Sequence, residues 1–383
     1  MSLIEALLLI PVLGGSLFYV ATLVTALLFL RAGRAQAAST NQAAPVTMLK
    51  PIYGLERGLE RNLRSALSQD FPDYQVVMSV QRLDDPALPL LRHLEQEHGP
   101  ERATVVAVQS EPVVNGKVQN LENALSVARH DILVISDSDV FTPADYLARI
   151  TAPLRDAEVG YVCTLYNGVD ARSWYEQLEL LTYNTEFIPS TVFAYMTGAS
   201  GLCLGASVAL RQTTLDAVGG LASLADYLVE DYELGRRILA RGQGMVLLPY
   251  FVDLTVDLDS AKSWWRHQIY WDQNTRAARP LGFAASVLTR AVPFALLYAA
   301  FRLFDPLGLA VLLAALIVRL GTAAGTALVF RDRAGLRALW LLPLRDLAGL
   351  LFWVLALGKQ KFVWRGHEFE LAHGGRIVPR RCS

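Results

Sequence analysis

The stretch Ile132-Leu133-Val134-Ile135-Ser136-Asp137-Ser138-Asp139 decides the fold. A short apolar run of this kind is expected of a strand buried on both faces, and here it ends in a turn carrying two carboxylates. Similar β-rich runs precede it at Thr104–Val108, Gln75–Val80 and Val46–Leu49. The four are spaced about 28 to 30 residues apart, which leaves room for helical crossovers between parallel strands. Helix-like stretches fill the gaps at Arg57–Ser68, Pro86–His98 and Val118–Arg129. The expectation is an α/β domain with a mostly parallel sheet and helices on both faces. Ligands in such open sheets bind beyond the carboxyl ends of the strands.

Polar and charged residues collect at that edge: Lys50 to Gly54 after the first run, Gln81-Arg82-Leu83-Asp84-Asp85-Pro86 after the second, Asn115-Gly116-Lys117 after the third. Asp137 and Asp139, one residue apart, are suited to holding a hard divalent cation, with phosphate oxygens completing its shell. The alternative is an Asp-rich turn that caps the next helix. Lys117, close to a helix start, suits a diphosphate, or is a solvated lysine. Glu230-Asp231 opens an amphipathic pattern, where carboxylates favour the helix dipole or provide a general base. Between Ser263 and Arg276, Trp264, Trp265, His267, Gln268 and Trp271 form an aromatic and polar cluster. An interfacial aromatic belt explains the tryptophans; His267, Gln268 and Arg276 fit better with closure over a phosphate-bearing ligand.

The 383 residues are 53% hydrophobic and only 19% charged, with 35 basic against 36 acidic side chains for a net charge of −1. This composition excludes a disordered chain and a disulfide scaffold, and gives no general attraction to nucleic acid. Cys163, Cys203 and Cys382 lack metal-site spacing and read as thiols of a reducing compartment. The apolar excess lies at the ends. Leu3 to Leu30 is long enough for a bilayer of roughly 30 Å. The chain start lacks the basic residues of a signal peptide, so the run reads as an uncleaved anchor. Arg31 and Arg34 then place the following domain in the cytosol, after a polar linker at 35–44.

Leu307–Phe330 and Leu339–Leu357 also have the length of spans, with Arg319 in one and the Arg345/Asp346 pair in the other. Such charges should face protein or water. Leu281–Phe304, interrupted by Arg290 and Pro293, is either a third span or an interfacial helix; an interfacial helix plus two spans returns the basic tail (Lys359, Lys361, Arg365, Arg376, Arg380, Arg381) to the cytosol. The expected segments are an anchor at 1–34, a catalytic domain at 45–265, an amphipathic segment at 266–304, transmembrane helices at 305–358 and a basic cytosolic tail at 359–383.

Taken in this order, Asp137-Ser138-Asp139, Glu230-Asp231 and the Trp-rich segment resemble glycosyltransferases of families 2 and 21, of the GT-A Rossmann-like type. Val80 to Ala87, Gly205-Ala206-Ser207 with Gly219-Gly220, and Val229-Glu230-Asp231-Tyr232 resemble the ceramide glucosyltransferase pattern. Chain length and the anchor-plus-tail arrangement resemble the hopanoid-biosynthesis-associated branch. The resemblance implies that Asp84 or Asp85 contacts the nucleotide, since Arg82 stands where the first such Asp is often found. It implies that Asp137 and Asp139 hold Mg²⁺ or Mn²⁺ with the diphosphate, and that Asp231 is the catalytic base. Lys117, His267, Gln268 and Trp271 would then be donor-side, and Glu230, Trp264 and Trp265 acceptor-side. The family's Gln/Arg-x-x-Arg-Trp motif falls on His267 to Trp271; Trp271 matches, while His267 and Tyr270 depart from it.

The activity implied is inverting transfer of a hexose from a UDP-sugar to the hydroxyl of a membrane lipid, in a multi-pass protein of the bacterial inner membrane with a cytosolic catalytic domain. N-acetylglucosamine onto bacteriohopanetetrol is the first expectation, and glucose onto ceramide the alternative. A processive polysaccharide synthase would want the intact motif and more spans. A transporter would not need so large a soluble part.

Overall fold

A computed structural model of the chain describes residues 2–33, 44–109, 115–199, 201–358, 361–364, 367–371 and 376–379. The chain divides into two compact units, an α/β unit (Gly33–Tyr166, Ser200–Thr255, Phe369–Ser383) and a helical unit (Met1–Ala32, Asn167–Ala199, Val256–Glu368). Arg34, residues 35–43, Lys359, Arg365, Arg380, Arg381 and Cys382, which the sequence reading used, lie outside the described residues.

The strands of the main sheet are β1 (Val46–Pro51), β2 (Tyr74–Val80), β3 (Ala103–Ala107), β4 (Ile132–Ser136), β5 (Val140–Phe141), β6 (Val159–Val169), β7 (Ser207–Arg211) and β8 (Gly244–Thr255). Their order is β3-β2-β1-β4-β7-β6-β8-β5. β1 lies between β2 and β4, parallel to both, with Val46 opposite Tyr74 on one side and Ile132 on the other. β3 extends the parallel set. Every residue of β1 and β2 is buried, as expected of central strands whose two faces are both covered. Val46, Met48, Leu49, Val76, Val77, Met78, Leu133 and Val134 have no solvent exposure.

All four strands read from the sequence are therefore present and parallel, while the sheet as a whole is mixed. β7 runs antiparallel to β4 and β6, and β5 antiparallel to β8. Antiparallel pairing needs no crossover helix, so these later strands fell outside the regular spacing that revealed the first four. Helices Leu88–His98 and Gly116–Leu125 pack on β3 and on β1 and β2 respectively, and Leu59–Leu67 supplies the remaining crossover.

In the helical unit, Leu3–Gly33, Pro306–Phe330 and Arg333–Gly358 are each long and apolar enough to cross a membrane. The segment read as a span or an interfacial helix is a pair, Pro280–Thr289 and Ala291–Phe301, bent by 53°. The charges within the spans are buried in protein. Arg319 donates to Asp346 from Nε at 2.8 Å and from Nη2 at 3.1 Å, and reaches the Thr185 carbonyl and hydroxyl. Arg345 pairs with Asp346 and Glu186 and donates to Thr182. The pairing accounts for two arginines that would otherwise be costly at such depth.

Candidate active site

The site in the α/β unit begins where β4 ends. Lys50, at the end of β1, has no solvent exposure. Its ammonium donates to Ser136 Oγ (2.9 Å), the Asp137 carbonyl (2.8 Å) and the Val140 carbonyl (3.2 Å), pinning both sides of the Asp137-Ser138-Asp139 turn. Burial pushes the Lys50 ammonium down to about 8, against the pull of Asp139 and Asp137. Ser138 Oγ donates to Glu56 at 2.7 Å, and Asn62 holds the Ser138 carbonyl. Asp139 is driven up to about 8 by burial and by the like charges of Asp137 and Glu56. Its Oδ1 is buried with no hydrogen-bond partner among the described residues.

The second wall comes from two helix starts. Asn115 caps the helix Gly116–Leu125 by accepting from the backbone N–H groups of Lys117 (3.1 Å) and Val118 (3.2 Å). Its amide nitrogen donates to Glu230 Oε2 and the Tyr227 carbonyl, both at 3.1 Å, which ties this helix to the start of the helix Glu230–Ala240. Lys117 thereby reaches the centre. Its ammonium is 2.7 Å from Asp137 Oδ1, 3.6 Å from Glu230 Oε1 and 3.3 Å from the Gly205 carbonyl. Burial alone would lower Lys117, but Asp137, Glu230 and Asp231 outweigh it and hold the ammonium protonated, well above its ordinary value.

Asp231 completes the cluster. Its Oδ2 accepts from the Gly205 N–H and its Oδ1 from the Tyr232 N–H, both at 2.7 Å. Burial and the adjacent Glu230 push its carboxyl up to about 6, with Lys117 and the two backbone donors opposing. Residues 94 positions apart, Asp137 and Asp231, therefore share the field of one lysine. A carboxyl near neutrality beside a fixed cation has the properties of a general base. Among the described residues no three His, Cys, Asp or Glu side chains form a ready metal cage. The unpartnered Asp139 oxygen, next to Asp137, nevertheless fits a hard cation that takes its remaining ligands from phosphate or water.

The other residues singled out in the sequence are placed as follows. Asp84 is exposed and paired with Arg82. Asp85 is buried, accepting from the N–H groups of Gly54 and Ala87, so it holds the loop after β1 against the loop after β2. His267, Gln268, Trp271, Trp264 and Trp265 belong to the helical unit, on the helix Ala261–Ala278. There Trp271 Nε1 donates to His267 Nε2 (3.1 Å), which leaves Nδ1 to donate to Glu179 (2.8 Å). Gln268 is buried, donates to Glu179 at 2.7 Å and accepts from Thr182. Burial alone would raise Glu179, but His267 and Gln268 among others hold it below the usual carboxylate range. Trp264 and Trp265 both pack against Phe352 in T-shaped contacts.

The sequence reading missed the roles of Lys50, Asn115 and Glu179. Lysine at the end of a buried strand was the available signal for the first. Glu179 offered none, because its partners lie 88 and 89 positions away.

Residues 15–377 match the family model described as glycosyl transferase family 21. The chain is 26% identical over 200 residues to ceramide glucosyltransferase 1 of Caenorhabditis elegans, covering 51% of this chain and 42% of that protein. It is 23% identical over 359 residues to ceramide glucosyltransferase 3 of the same organism, covering 88% and 75%. Among solved structures, a mannosyltransferase from Pyrobaculum calidifontis in complex with GDP-mannose and Mn²⁺ superposes with a TM-score of 0.56 at 20% identity, over 93% of this chain and 98% of that one. The fold is thus that of a GT-A-type glycosyltransferase.

Proposed function

Because the chain belongs to glycosyl transferase family 21, we propose that its α/β unit transfers a hexose from a UDP-sugar to the hydroxyl of a membrane lipid, with inversion at the anomeric carbon. The observation that carries this reading is Lys117, set between Asp137 on one side and the Glu230–Asp231 pair on the other. It joins a phosphate-side charge to a base of raised pKa within one cluster.

In the reaction, the acceptor oxygen attacks the anomeric carbon as the bond to the diphosphate breaks. Asp231, ionised and oriented by the N–H groups of Gly205 and Tyr232, takes the hydroxyl proton. Lys117 turns its ammonium from Asp137 toward the diphosphate and stabilises the charge that builds on the leaving group. Glu230 keeps Lys117 protonated and in place. Asp137 and Asp139 would hold Mg²⁺ or Mn²⁺, which supplies further positive charge against the departing diphosphate. Asp85 fixes the two loops that flank the nucleotide, and Asp84 remains on the surface with Arg82. The Glu179-His267-Gln268-Trp271 network positions the Trp-rich helix, with Trp264 and Trp265 on the lipid side. Arg31, at the end of the first apolar helix, supports a cytosolic catalytic unit, and the bacterial inner membrane is the location that the hopanoid-type resemblance implies.

Two acceptors are carried. The features set out from the sequence favour N-acetylglucosamine onto bacteriohopanetetrol, while the names of the similar nematode proteins favour glucose onto ceramide. Membranes containing the protein, given UDP-glucose, UDP-N-acetylglucosamine or UDP-galactose with each lipid, decide between them. Product should form with one pair and vanish on addition of EDTA. Failure to transfer from any UDP-sugar to any lipid would overturn the reading.

A further inference from the structure

Contacts between helix ends distinguish the segments of the helical unit that cross a bilayer from those that lie in it. Arg302 donates to Glu5 Oε1 and, from Nε, to both oxygens of Asp305. The start of Leu3–Gly33, the end of Ala291–Phe301 and the start of Pro306–Phe330 therefore share one end of the unit. From that end the three helices stay in step. Val12, Ala295 and Ala315 form one buried cluster, each about 10 to 14 Å along its helix at 1.5 Å per residue. Tyr19 has the Arg319 guanidinium 4.4 Å from its ring centroid, both about 20 Å along. A Cβ on Gly325 would sit 3.0 Å from Leu23 Cδ2, both about 28 Å along. Leu3–Gly33 and Pro306–Phe330 thus run side by side through a depth matching a hydrocarbon core of roughly 30 Å.

Ala291–Phe301 covers only about half of that depth, about 16 Å. It starts against the middle of the first helix, where a Cβ on Gly15 would lie 2.7 Å from the Ala291 nitrogen. Pro280–Thr289, bent from it by 53°, covers the rest. Just before this segment, Arg279 Nη2 donates to the Ala199 carbonyl at 3.4 Å. Ala199 N–H in turn donates to the Ala194 carbonyl, beside Tyr195, whose ring centroid is 6.0 Å from that of Phe29. Phe29 lies close to Arg31, at the end opposite Glu5. The bent pair therefore joins the two ends, as a broken span does.

Arg333–Gly358 behaves differently, although it is long enough to cross. It follows Phe330, at the Arg31 end, and dips to the level of Arg319, which donates to Asp346 at 2.8 Å. Gly349 faces the Arg290 guanidinium at the break of the bent pair. The helix then returns. Trp353 Nε1 donates to the Phe283 carbonyl at 2.9 Å, and the Leu357 carbonyl accepts from Arg276, one turn before Arg279, at 2.6 Å. A crossing helix would finish beside Glu5 and Arg302 instead. The tail agrees, because Arg376 pairs with Tyr227 inside the α/β unit, the unit that takes up the chain after Ala32. Three crossings bring the tail back to that side, and a fourth would carry it away.

The exposed face of this helix has the chemistry of a leaflet. Arg333 and Arg337 begin a stripe that continues through Trp340, Leu344, Leu347, Leu351, Val354 and Leu357, all exposed. The six apolar members run from 37% exposed at Leu347 to 70% at Trp340, a row too long for a face left in water. The opposite face, with Leu342, Arg345, Asp346, Gly349, Phe352 and Ala356, is buried in protein. Two arginines leading into an apolar stripe suit anionic head groups above acyl chains.

We propose that Arg333–Gly358 does not cross the membrane but lies in the phospholipid leaflet on the Arg31 side, with Arg333 and Arg337 among the head groups and the Trp340–Leu357 stripe against acyl chains. Leu3–Gly33, the bent pair Pro280–Phe301 and Pro306–Phe330 make the three crossings. The sequence expectation of an interfacial segment before 305 and a span at 339–357 is thereby exchanged. Phe352, on the inner face of the embedded helix, packs against Trp264 and Trp265, so the Trp-rich helix is seated on an element at leaflet depth.

The test uses the full chain in inverted and right-side-out membrane vesicles, with a membrane-impermeant maleimide. Cys163 and Cys203 are buried, so Cys382→Ser supplies the background. Gly358→Cys should label in the same vesicles as Ala32→Cys, and Ser2→Cys only in the opposite ones. Nitroxides on Leu344→Cys, Leu347→Cys, Leu351→Cys and Val354→Cys, in phosphatidylcholine and phosphatidylglycerol bilayers, should all lie within about 10 Å of the head groups and be relaxed by oxygen more than by a water-soluble nickel chelate. Wild-type chain provides a readout free of substitutions: trypsin should cut after Lys359 or Arg365 from the same side as after Arg31 or Arg34. Gly358→Cys labelling with Ser2→Cys, tail cleavage from the opposite side, or a depth profile passing through the bilayer centre at about 15 Å would each overturn the proposal. So would a stripe closed to both relaxants, as beneath a protein partner, or open to nickel, as in water. None of these readouts needs sugar transfer, so failure of the proposed reaction would leave the placement standing.

Discussion

The backbone N–H of Gly205 donates to Asp231 Oδ2 at 2.7 Å, and a Cβ built on Gly205 would lie 2.6 Å from that same oxygen. The close approach that orients the carboxylate is therefore available to glycine alone. Gly205→Ala should displace Asp231, costing roughly 1 to 3 kcal/mol of stability and about 10²-fold in transfer rate. Thermal unfolding and initial rates measure the two. Wild-type turnover in this variant would remove Gly205 from the machinery.

Asp231→Asn keeps the shape and can accept from only one of the two backbone N–H groups of Gly205 and Tyr232, its amide nitrogen being a donor, and it removes the proton acceptor. UDP-sugar binding should persist while transfer falls roughly 10²- to 10⁴-fold. In the wild type the carboxyl must be ionised to work, and it is pushed up to about 6. Activity should thus fall on acidification, to about half at pH 6 and about a tenth at pH 5. A rate that stays flat from pH 8 to pH 5 would contradict the assignment.

Asp139 presents a buried oxygen with no donor among the described residues. Asp139→Asn should retain the fold and lose the response to added Mg²⁺ or Mn²⁺, with weaker binding of the UDP-sugar measured by calorimetry. Metal-stimulated activity equal to wild type would place the cation elsewhere.

The buried pair Arg319–Asp346 in the helical unit gives a stability prediction of different character. Arg319→Met leaves a carboxylate without its main partner at 4% exposure and should cost about 3 to 5 kcal/mol. The double variant Arg319→Met/Asp346→Leu should recover most of that loss. Unfolding in detergent, followed by thermal scans, separates the two; a double variant as unstable as the single one would show that the pair does more than neutralise itself.

What could be read from the residues followed the range of the interactions. β1 to β4 announced themselves because central parallel strands are short apolar runs at regular spacing. β8 did not, because most of its residues are only partly buried and Pro249 interrupts it. The carboxylate doublets Asp137/Asp139 and Glu230/Asp231 were visible as motifs. Lys50, which holds the turn from 86 and more positions away, and Asn115, which ties one helix start to another across 115 positions, act through contacts that no local pattern records. The mixed half of the sheet and the positioning groups were hidden for the same reason.

Lys117 offers the sharpest test of the whole cluster, because it acts on two groups with opposite needs. Its ammonium lowers the carboxyl of Asp231, which burial and Glu230 raise, and it stands 2.7 Å from Asp137 on the phosphate side. Lys117→Met removes both effects. The loss of charge against the departing diphosphate should reduce the rate by roughly 10²- to 10³-fold. The residual activity should carry the second signature. Without the lysine, Asp231 titrates above its wild-type value of about 6, so the acidic limb of the rate profile moves to higher pH and the residual activity is favoured by alkaline conditions. Lys117→Arg keeps the charge and should leave the limb near its wild-type position. A Met variant whose limb is unmoved would show that Lys117 and Asp231 do not act within one field, and the single cluster on which the proposed reaction rests would come apart.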